Sequence, residues 1–312
     1  MQIKQPIFLV GAERSGTTLL RLMLDHHPNI AFLYEFEFAV DQIDANGNYP
    51  NIQQYHEYLA YHRIFLGANL EIDPNLNYAE LVNSFLQQKQ SRDNKPLIGA
   101  TVHHQFQHLL KIWPEAKFIH LIRDGRDVAR STIQMGWAGN MYMGVERWIE
   151  AELIWKQMAK QLAPEQQISV HYEDLIRDAD GVLQRICDFT GVEFDNAMYS
   201  YADKTTYSVP DPKILERWRK LPQKDLQLVE CRIAEMLTER DYPLSGHPIL
   251  PDSANLKFRM KMDNRVRNIL FRIKRYSFRL WLADLISRRF GFSKWQQQVR
   301  LKMNEKDKAY LR

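Results

Sequence analysis

The tightest constraint on the fold is a junction near the start of the chain, where the apolar run "PIFLV" (6–10) passes directly into "GAERSGTTLLR" (11–21). The run has the length of a buried strand, and the glycine-containing loop leads into a helical pattern, "TTLLRLMLDHH". A strand, such a loop and a helix N-terminus leave backbone N–H groups and the positive end of the helix dipole pointing the same way, which makes an anion site. Gly11 and Gly16 have the spacing of a triphosphate P-loop, G-x-x-x-x-G-K-[ST], but Thr17 stands where the lysine belongs. Charge-assisted bonds must then supply much of the grip, with Arg14 as a planar fork and Thr17 and Thr18 as hydroxyls in the first helical turn. That cradle suits two anionic centres and lacks the ammonium group suited to a third.

Short β-rich runs recur at "PLIGA" (96–100), "KFIHLI" (117–122) and "ISVHY" (168–172), with helical patterns between or after them, among them "QFQHLLKIW", "RDVARSTIQM" and "ADGVLQRICDFTG". Buried continuous strands alternating with helices predict an α/β fold, a P-loop-like central parallel sheet flanked by helices. Ligands bind outside the carboxyl ends of such strands, where the loop at 11–18 and the RDGRD after "KFIHLI" both fall. The α/β domain is expected over residues 1–246, with a helical insertion at 47–95 that reads as a lid, an acceptor pocket or plain packing on the core. A basic, amphipathic helical extension is expected over 247–312.

Only Cys187 and Cys231 are present, which excludes a disulfide framework and a cluster of cysteine metal ligands. The opening apolar run is too short for a signal peptide, and no stretch reaches the roughly 18 unbroken apolar residues of a spanning helix. A soluble, cytoplasmic protein is the expectation. The net charge of +4 hides an asymmetry: residues 255–312 hold 17 Lys and Arg against 4 Asp and Glu, so this stretch carries +13 and the residues before it −9. Its mixture of Leu, Ile, Phe and Trp with Arg and Lys at near-helical spacing is that of a helix resting on anionic lipid, or packing its apolar face on the acidic domain. No nucleic-acid-binding motif is present, and nucleic acid is not an expected partner.

"GAERSGTTLLRLMLDHHPNI" resembles the 5′-phosphosulfate loop of sulfotransferases that use 3′-phosphoadenosine 5′-phosphosulfate (PAPS), most of all the branch containing tyrosylprotein sulfotransferases and many bacterial enzymes. R-S-G-T-T-L (14–19) and L-D-H-H-P (24–28) are kept, while Glu13 replaces the usual proline. The resemblance implies PAPS as co-substrate, no metal, and Arg14, Ser15, Gly16, Thr17 and Thr18 around the 5′-phosphosulfate. PAPS has two anionic centres at its 5′ end, which accounts for the absent lysine.

"KFIHLIRDGRDVARSTIQMGW" (117–137) is similar to the family's 3′-phosphate segment, implying Arg123 and Ser131 as ligands. Arg126 and Arg130 are candidate supporting charges, and Arg123 and Arg126 flank Asp124 in a way that suits an anion better than Mg²⁺. "VHYEDL" (170–175) matches a strand-end pattern whose tyrosine contacts the nucleotide, here Tyr172; "ERWRKLPQKDLQLVE" (216–230) resembles a late segment in which Lys213, Arg217 and Trp218 close over the donor. The resemblance covers roughly residues 6 to 245.

Sulfuryl transfer needs an aligned acceptor, a general base and cations on the departing oxygen. In the tyrosylprotein branch the base is a glutamate 21 residues after the loop arginine, which gives Glu35, and desolvation among Tyr34, Phe36 and Phe38 would raise its pKa toward that of a working base. Glu37 shares its face only if the segment is extended. A lysine that many relatives carry in K-[TD]-P is absent: the comparable stretch is "GATVHHQF" (99–106). His103 or His104 then supplies a proton or a positive charge, or is itself the base, as a histidine is in the cytosolic branch. The expected function is transfer of a sulfuryl group from PAPS to a hydroxyl or amine of an unnamed acceptor, whether small molecule, lipid, glycan or peptide. A kinase-like P-loop phosphotransferase and a catalytically weak nucleotide-binding relative at a membrane surface are the alternatives.

Overall fold

Ile7–Val10 form the expected first strand, β1, with every residue buried. The computed structural model describes residues 2–205, 210–291 and 293–310. The loop 11–16 leads into helix α1 (Thr17–His26), and the chain returns as β2 (Ile30–Glu35), β3 (Leu97–Val102), β4 (Lys117–Ile122) and β5 (Gln167–His171). All pairings are parallel, in the order β2-β3-β1-β4-β5. With β1 in the middle and helices over the sheet, an unbroken apolar run is what this position demands. The order also sets the carboxyl end of β1 between those of β3 and β4, with Val10 in register with Val102 and His120. Four of the strands were legible as apolar runs; β2, "IAFLYE", was not among them.

By contacts the chain divides into two compact units, Met1–Asp124 with Arg147–Glu216, and Gly125–Glu146 with Arg217–Arg312. The first holds the sheet. Its L-D-H-H-P segment is a joint between α1 and β2: Asp25 Oδ1 accepts from the Phe32 N–H (2.8 Å) and pairs with Lys89 Nζ (3.2 Å). His27 bridges the Asn29 N–H (3.0 Å) and the Glu193 carbonyl (2.8 Å). The stretch 47–95 contributes α2 (Ile52–Leu59), α3 (Arg63–Gly67) and α4 (Tyr78–Asp93), the last opened by an Asn77–Glu80 capping box. Their buried aromatic residues surround the chain just after β2. Phe38 meets Phe65 and Phe85 at 5.4 and 5.9 Å between ring centres, Tyr55 Oη donates to the Phe38 carbonyl (2.9 Å), and Tyr78 Oη to that of Ala39 (2.8 Å).

The second unit contains α5 (Gly125–Gln134), α6 (Gln223–Glu239) and α7 (Ala254–Tyr276), with further helices at Phe278–Arg289 and Ser293–Tyr310. Its centre is a buried ion pair, Arg126 Nη1 to Glu230 Oε1 at 2.6 Å. Glu230 also accepts from the Ser245 N–H and hydroxyl (2.9 and 2.6 Å), so the carboxylate is well satisfied. No helix among the described residues is long and apolar enough to cross a membrane.

The α1–β2 joint has a measurable consequence. Asp25→Ala removes the acceptor of the Phe32 N–H and is expected to lower stability by about 1–3 kcal/mol, read from the urea midpoint with an unchanged slope.

Candidate active site

The loop after β1 is held open by left-handed backbone on either side of Ser15: Arg14 has φ 72° and Gly16 φ 95°. Gly16 caps α1 without a side-chain bond, and the Leu19 and Leu20 N–H groups turn back to its carbonyl (3.0 and 3.2 Å). The N–H groups of Thr17 and Thr18 lie in the first helical turn, where no intrahelical acceptor exists. A side chain at 16 is impossible without movement, because a Cβ there would lie 2.2 Å from the Tyr172 ring; one at Gly11 would lie 2.4 Å from the Leu121 carbonyl oxygen. These two glycines let the loop press against the ends of β4 and β5.

Arg123, leaving β4, meets the loop directly. Its Nη1 donates to the Arg14 carbonyl at 3.0 Å, and its guanidinium lies 4.4 Å from the Tyr172 ring centre. Trp148 Nε1 holds the Arg123 carbonyl (2.9 Å), and Glu173 Oε1 accepts from the Asp124 N–H (3.1 Å). Three segments singled out in the sequence, 11–18, 123 and 172, are therefore one constellation at the carboxyl ends of β1, β4 and β5. Ser15 Oγ and Arg123 Nε are buried there with no hydrogen-bond partner. Buried polar atoms are rarely left so; a hydroxyl and a guanidinium N–H facing this loop fit phosphate and sulfate oxygens.

A second chain of hydrogen bonds crosses the ends of β2, β3 and β1. Glu35 is the last residue of β2, in register with Thr101 after an irregularity at Leu33. Glu37 does not continue the strand: it opens a 3-10 turn, Glu37–Ala39, and is buried. Its Oε1 accepts from His103 Nδ1 (2.5 Å) and from the His103 N–H (3.2 Å), while His103 Nε2 lies 3.0 Å from Thr17 Oγ1. A carboxylate, an imidazole and the hydroxyl in the lysine position of the loop are thus joined in series.

Burial alone would lower the His103 pKa, but the Glu37 carboxylate and its hydrogen bond outweigh it and hold the ring above its ordinary 6.5. Glu35 is half-buried, and desolvation, with the like charge of Glu37, raises its carboxyl above the ordinary range. His104 is more exposed. Its Nε2 lies 2.7 Å from Asp41 Oδ1, and that bond raises its pKa. Asp41 also accepts from Tyr58 Oη (2.5 Å). His103 and His104 line a cavity of about 440 Å³ with Glu13, Gln105, Arg147 and Glu150. Glu13, in the family's proline position, is ion-paired with Arg147. The sequence named Glu37 in "YEFEF" and His103 in "GATVHHQF" separately, with nothing to join them.

Ser131 lies on α5 in the second unit. Lys213 is exposed in a 3-10 turn, Pro212–Ile214, of the first unit, and Arg217 is exposed in the second. Trp218 is buried in the second unit, its ring 3.4 Å from the Arg126 guanidinium and 4.6 Å from that of Arg219. Arg126, a candidate supporting charge, is engaged with Glu230. No group of three or more His, Cys, Asp or Glu suited to a metal occurs among the described residues.

Residues 6–196 match the profile described as Sulfotransferase family. The chain belongs to that family. It is similar to the omega-hydroxy-beta-dihydromenaquinone-9 sulfotransferase of Mycobacterium bovis, 26% identical over 60% of this chain and 63% of that one, and so spans under two thirds of that relative's length. It is also similar to protein-tyrosine sulfotransferase 1 of Danio rerio, 26% identical over 78% of this chain and 73% of that protein. Among solved structures, the sulfotransferase domain of the Synechococcus PCC 7002 olefin synthase shares the fold, with a TM-score of 0.55 and 22% identity over 73% of this chain and 95% of that domain.

The raised His103 pKa links stability to pH. A pKa above the unfolded value contributes stability in full below the unfolded pKa and loses it as pH climbs through the folded one. The stability gap between the protein and His103→Asn is therefore expected to be larger at about pH 6 than at about pH 9, in urea unfolding at both values. An equal gap would mean that the ring's pKa is unshifted, and a smaller gap at about pH 6 that folding holds the ring neutral.

Proposed function

We propose that this protein transfers a sulfuryl group from PAPS to an acceptor hydroxyl. What carries the reading is the convergence of Arg123 and Tyr172 on a loop that holds the unpartnered Ser15 hydroxyl and has a hydroxyl in place of the P-loop lysine. The N–H groups of Thr17 and Thr18, Ser15 Oγ and Arg14 hold the 5′-phosphosulfate, and Arg123 beside the Tyr172 ring takes the 3′-phosphate. For Ser131, Lys213, Arg217 and Trp218 the support is sequence resemblance alone. PAPS supplies the activated sulfuryl group; the chain supplies position, charge and a base. Two relatives named for acceptors that bear a hydroxyl, an omega-hydroxy menaquinone and a protein tyrosine, favour oxygen over nitrogen as the acceptor atom.

Glu35 is the general base: desolvation and the like charge of Glu37 raise its pKa, so its carboxylate binds a proton more readily. His103 takes the place of the missing lysine. Protonated on both nitrogens, it donates to Glu37 and to Thr17 Oγ1, which turns the Thr17 hydroxyl hydrogen toward the anion and sets a positive charge one hydrogen bond behind it. A kinase-like phosphotransferase is disfavoured because no ammonium group stands in the loop.

Calorimetry with 3′-phosphoadenosine 5′-phosphate tests donor recognition. Binding without Mg²⁺ is expected, weakened at least about tenfold by Arg123→Ala; binding no tighter than that of 5′-AMP would remove the 3′-phosphate assignment. With labelled PAPS and an accepting phenol or alcohol, Glu35→Gln is expected to cost about 10²–10⁴ in kcat, and His103→Gln about 10²–10³. The pH profile separates the two roles. Activity should rise as Glu35 loses its proton above the ordinary carboxylate range and fall as His103 loses its proton above 6.5; His103→Gln should abolish the falling limb alone.

A further inference from the structure

Helix α7 carries an apolar ridge on its outward side. Its inward side is fastened to residues 135–140 of the same unit by polar groups. The Gly139 N–H donates to Asn264 Oδ1 (2.6 Å), Asn140 Nδ2 to the Met260 carbonyl (2.9 Å) and Asp263 Oδ2 (2.8 Å), and Arg275 Nη1 to the Met135 carbonyl (3.3 Å). Phe271 packs where a Cβ at Gly136 would sit. The outward side carries Phe258, Met262, Val266 and Leu270, exposed by 65, 45, 52 and 61%.

At about 100° per residue, the four-residue spacing keeps these side chains within about 120° of the helix circumference, with Met260, Asn264 and Phe271 opposite. Exposed Lys257, Lys261 and Arg265 follow one margin of the apolar ridge, and Lys274 and Arg267, the latter paired through Nε with Asp263 Oδ1 (2.9 Å), the other. A cavity of about 640 Å³ is lined by Phe258 and Met262 with four cations, Arg130, Lys224, Arg259 and Arg267, against two carboxylates, Asp225 and Asp263, so a net positive lining stands beside the end of the ridge.

Single exposed apolar residues need no explanation, but a continuous ridge with charged margins marks a surface that something covers. Basic groups on both margins match a plane of anionic headgroups, since Lys and Arg lay their stems along the apolar boundary and keep their charge at the phosphates. The net +13 of residues 255–312 adds long-range attraction to the same plane. We propose that α7 lies flat on an anionic bilayer, with Phe258, Met262, Val266 and Leu270 at the acyl boundary, the flanking Lys and Arg on lipid phosphates, and the adjoining cavity receiving a headgroup. The surface goes beyond the sulfuryl-transfer reading and does not rest on it.

Sedimentation of the full chain with vesicles tests this. Binding is expected to vesicles of phosphatidylcholine with about one third phosphatidylglycerol, with weakening in higher salt and little binding to phosphatidylcholine alone. The exposed-face variant F258S/M262S/V266S/L270S should partition at least about a hundredfold more weakly. Its circular dichroism and nucleotide affinity should be unchanged, which separates loss of the surface from loss of the fold or of the donor site. Failure to bind anionic vesicles, or equal binding by the variant, overturns the proposal. So does a dimer that the variant converts to monomer without change in vesicle binding, which would make the ridge a contact between copies. Binding of RNA in preference to vesicles assigns the charge to another partner and equally overturns it.

Discussion

Glu37 is a carboxylate at a depth where an unpaired charge is not tolerated, and His103 is what makes it possible there. Removing one partner of a buried pair typically costs about 3–5 kcal/mol, because the other charge stays behind. The pair therefore does more than add a contact. It ties the turn after β2 to the end of β3, and through Thr17 Oγ1 it reaches the loop after β1, so three strand ends share one hydrogen-bonded chain. The aromatic residues of 47–95 enclose the same turn, with Tyr55 and Tyr78 holding the carbonyls of Phe38 and Ala39. The insertion works, in this unit, as a buttress for the carboxylate.

Local features were legible in the sequence and distant ones were not. The strand, loop and helix at 6–26 are fixed by apolar run length, glycine position and helical periodicity, all within neighbouring residues. That Arg123 reaches the same sheet end as this loop follows from parallel strands and their shared carboxyl end, while Tyr172 was implied by the family resemblance alone. β2 escaped because "IAFLYE" is a short apolar run entering two glutamates, and such runs do not announce their type. The turn at Glu37 escaped for a related reason: whether Glu35 and Glu37 share a face depends on where the strand stops, and aromatic packing from α3 and α4 decides that. Arg126 is the clearest case of tertiary override. Its RDGRD setting suggests an anion ligand, yet the guanidinium is buried on Glu230, more than a hundred residues away.

The basic extension shows a different limit. Its composition and charge were plain, but a helix with apolar groups on several sides does not declare which side faces inward. The polar attachment of α7 through Asn264, Asp263 and Arg275 settles it, and leaves the Phe258–Leu270 ridge outermost. An apolar face turned inward would have read as ordinary core packing.

The same carboxylate accounts for the electrostatics on both sides of it. Glu35 and His103 bear opposite charges when ionised, so burial alone would move their pKa values in opposite directions, up for the carboxyl and down for the imidazole. Both are raised. The difference is Glu37: as a like charge it adds to desolvation at Glu35, and as a hydrogen-bonded counter-ion it overcomes desolvation at His103. In the proposed reaction this makes Glu35 a stronger base and His103 a more persistent cation. Replacing Thr17 by the P-loop lysine would set a second cation beside the imidazolium, lower the His103 pKa and weaken the neutralisation of Glu37. A loop built on this pair has a physical reason to carry a hydroxyl at that position.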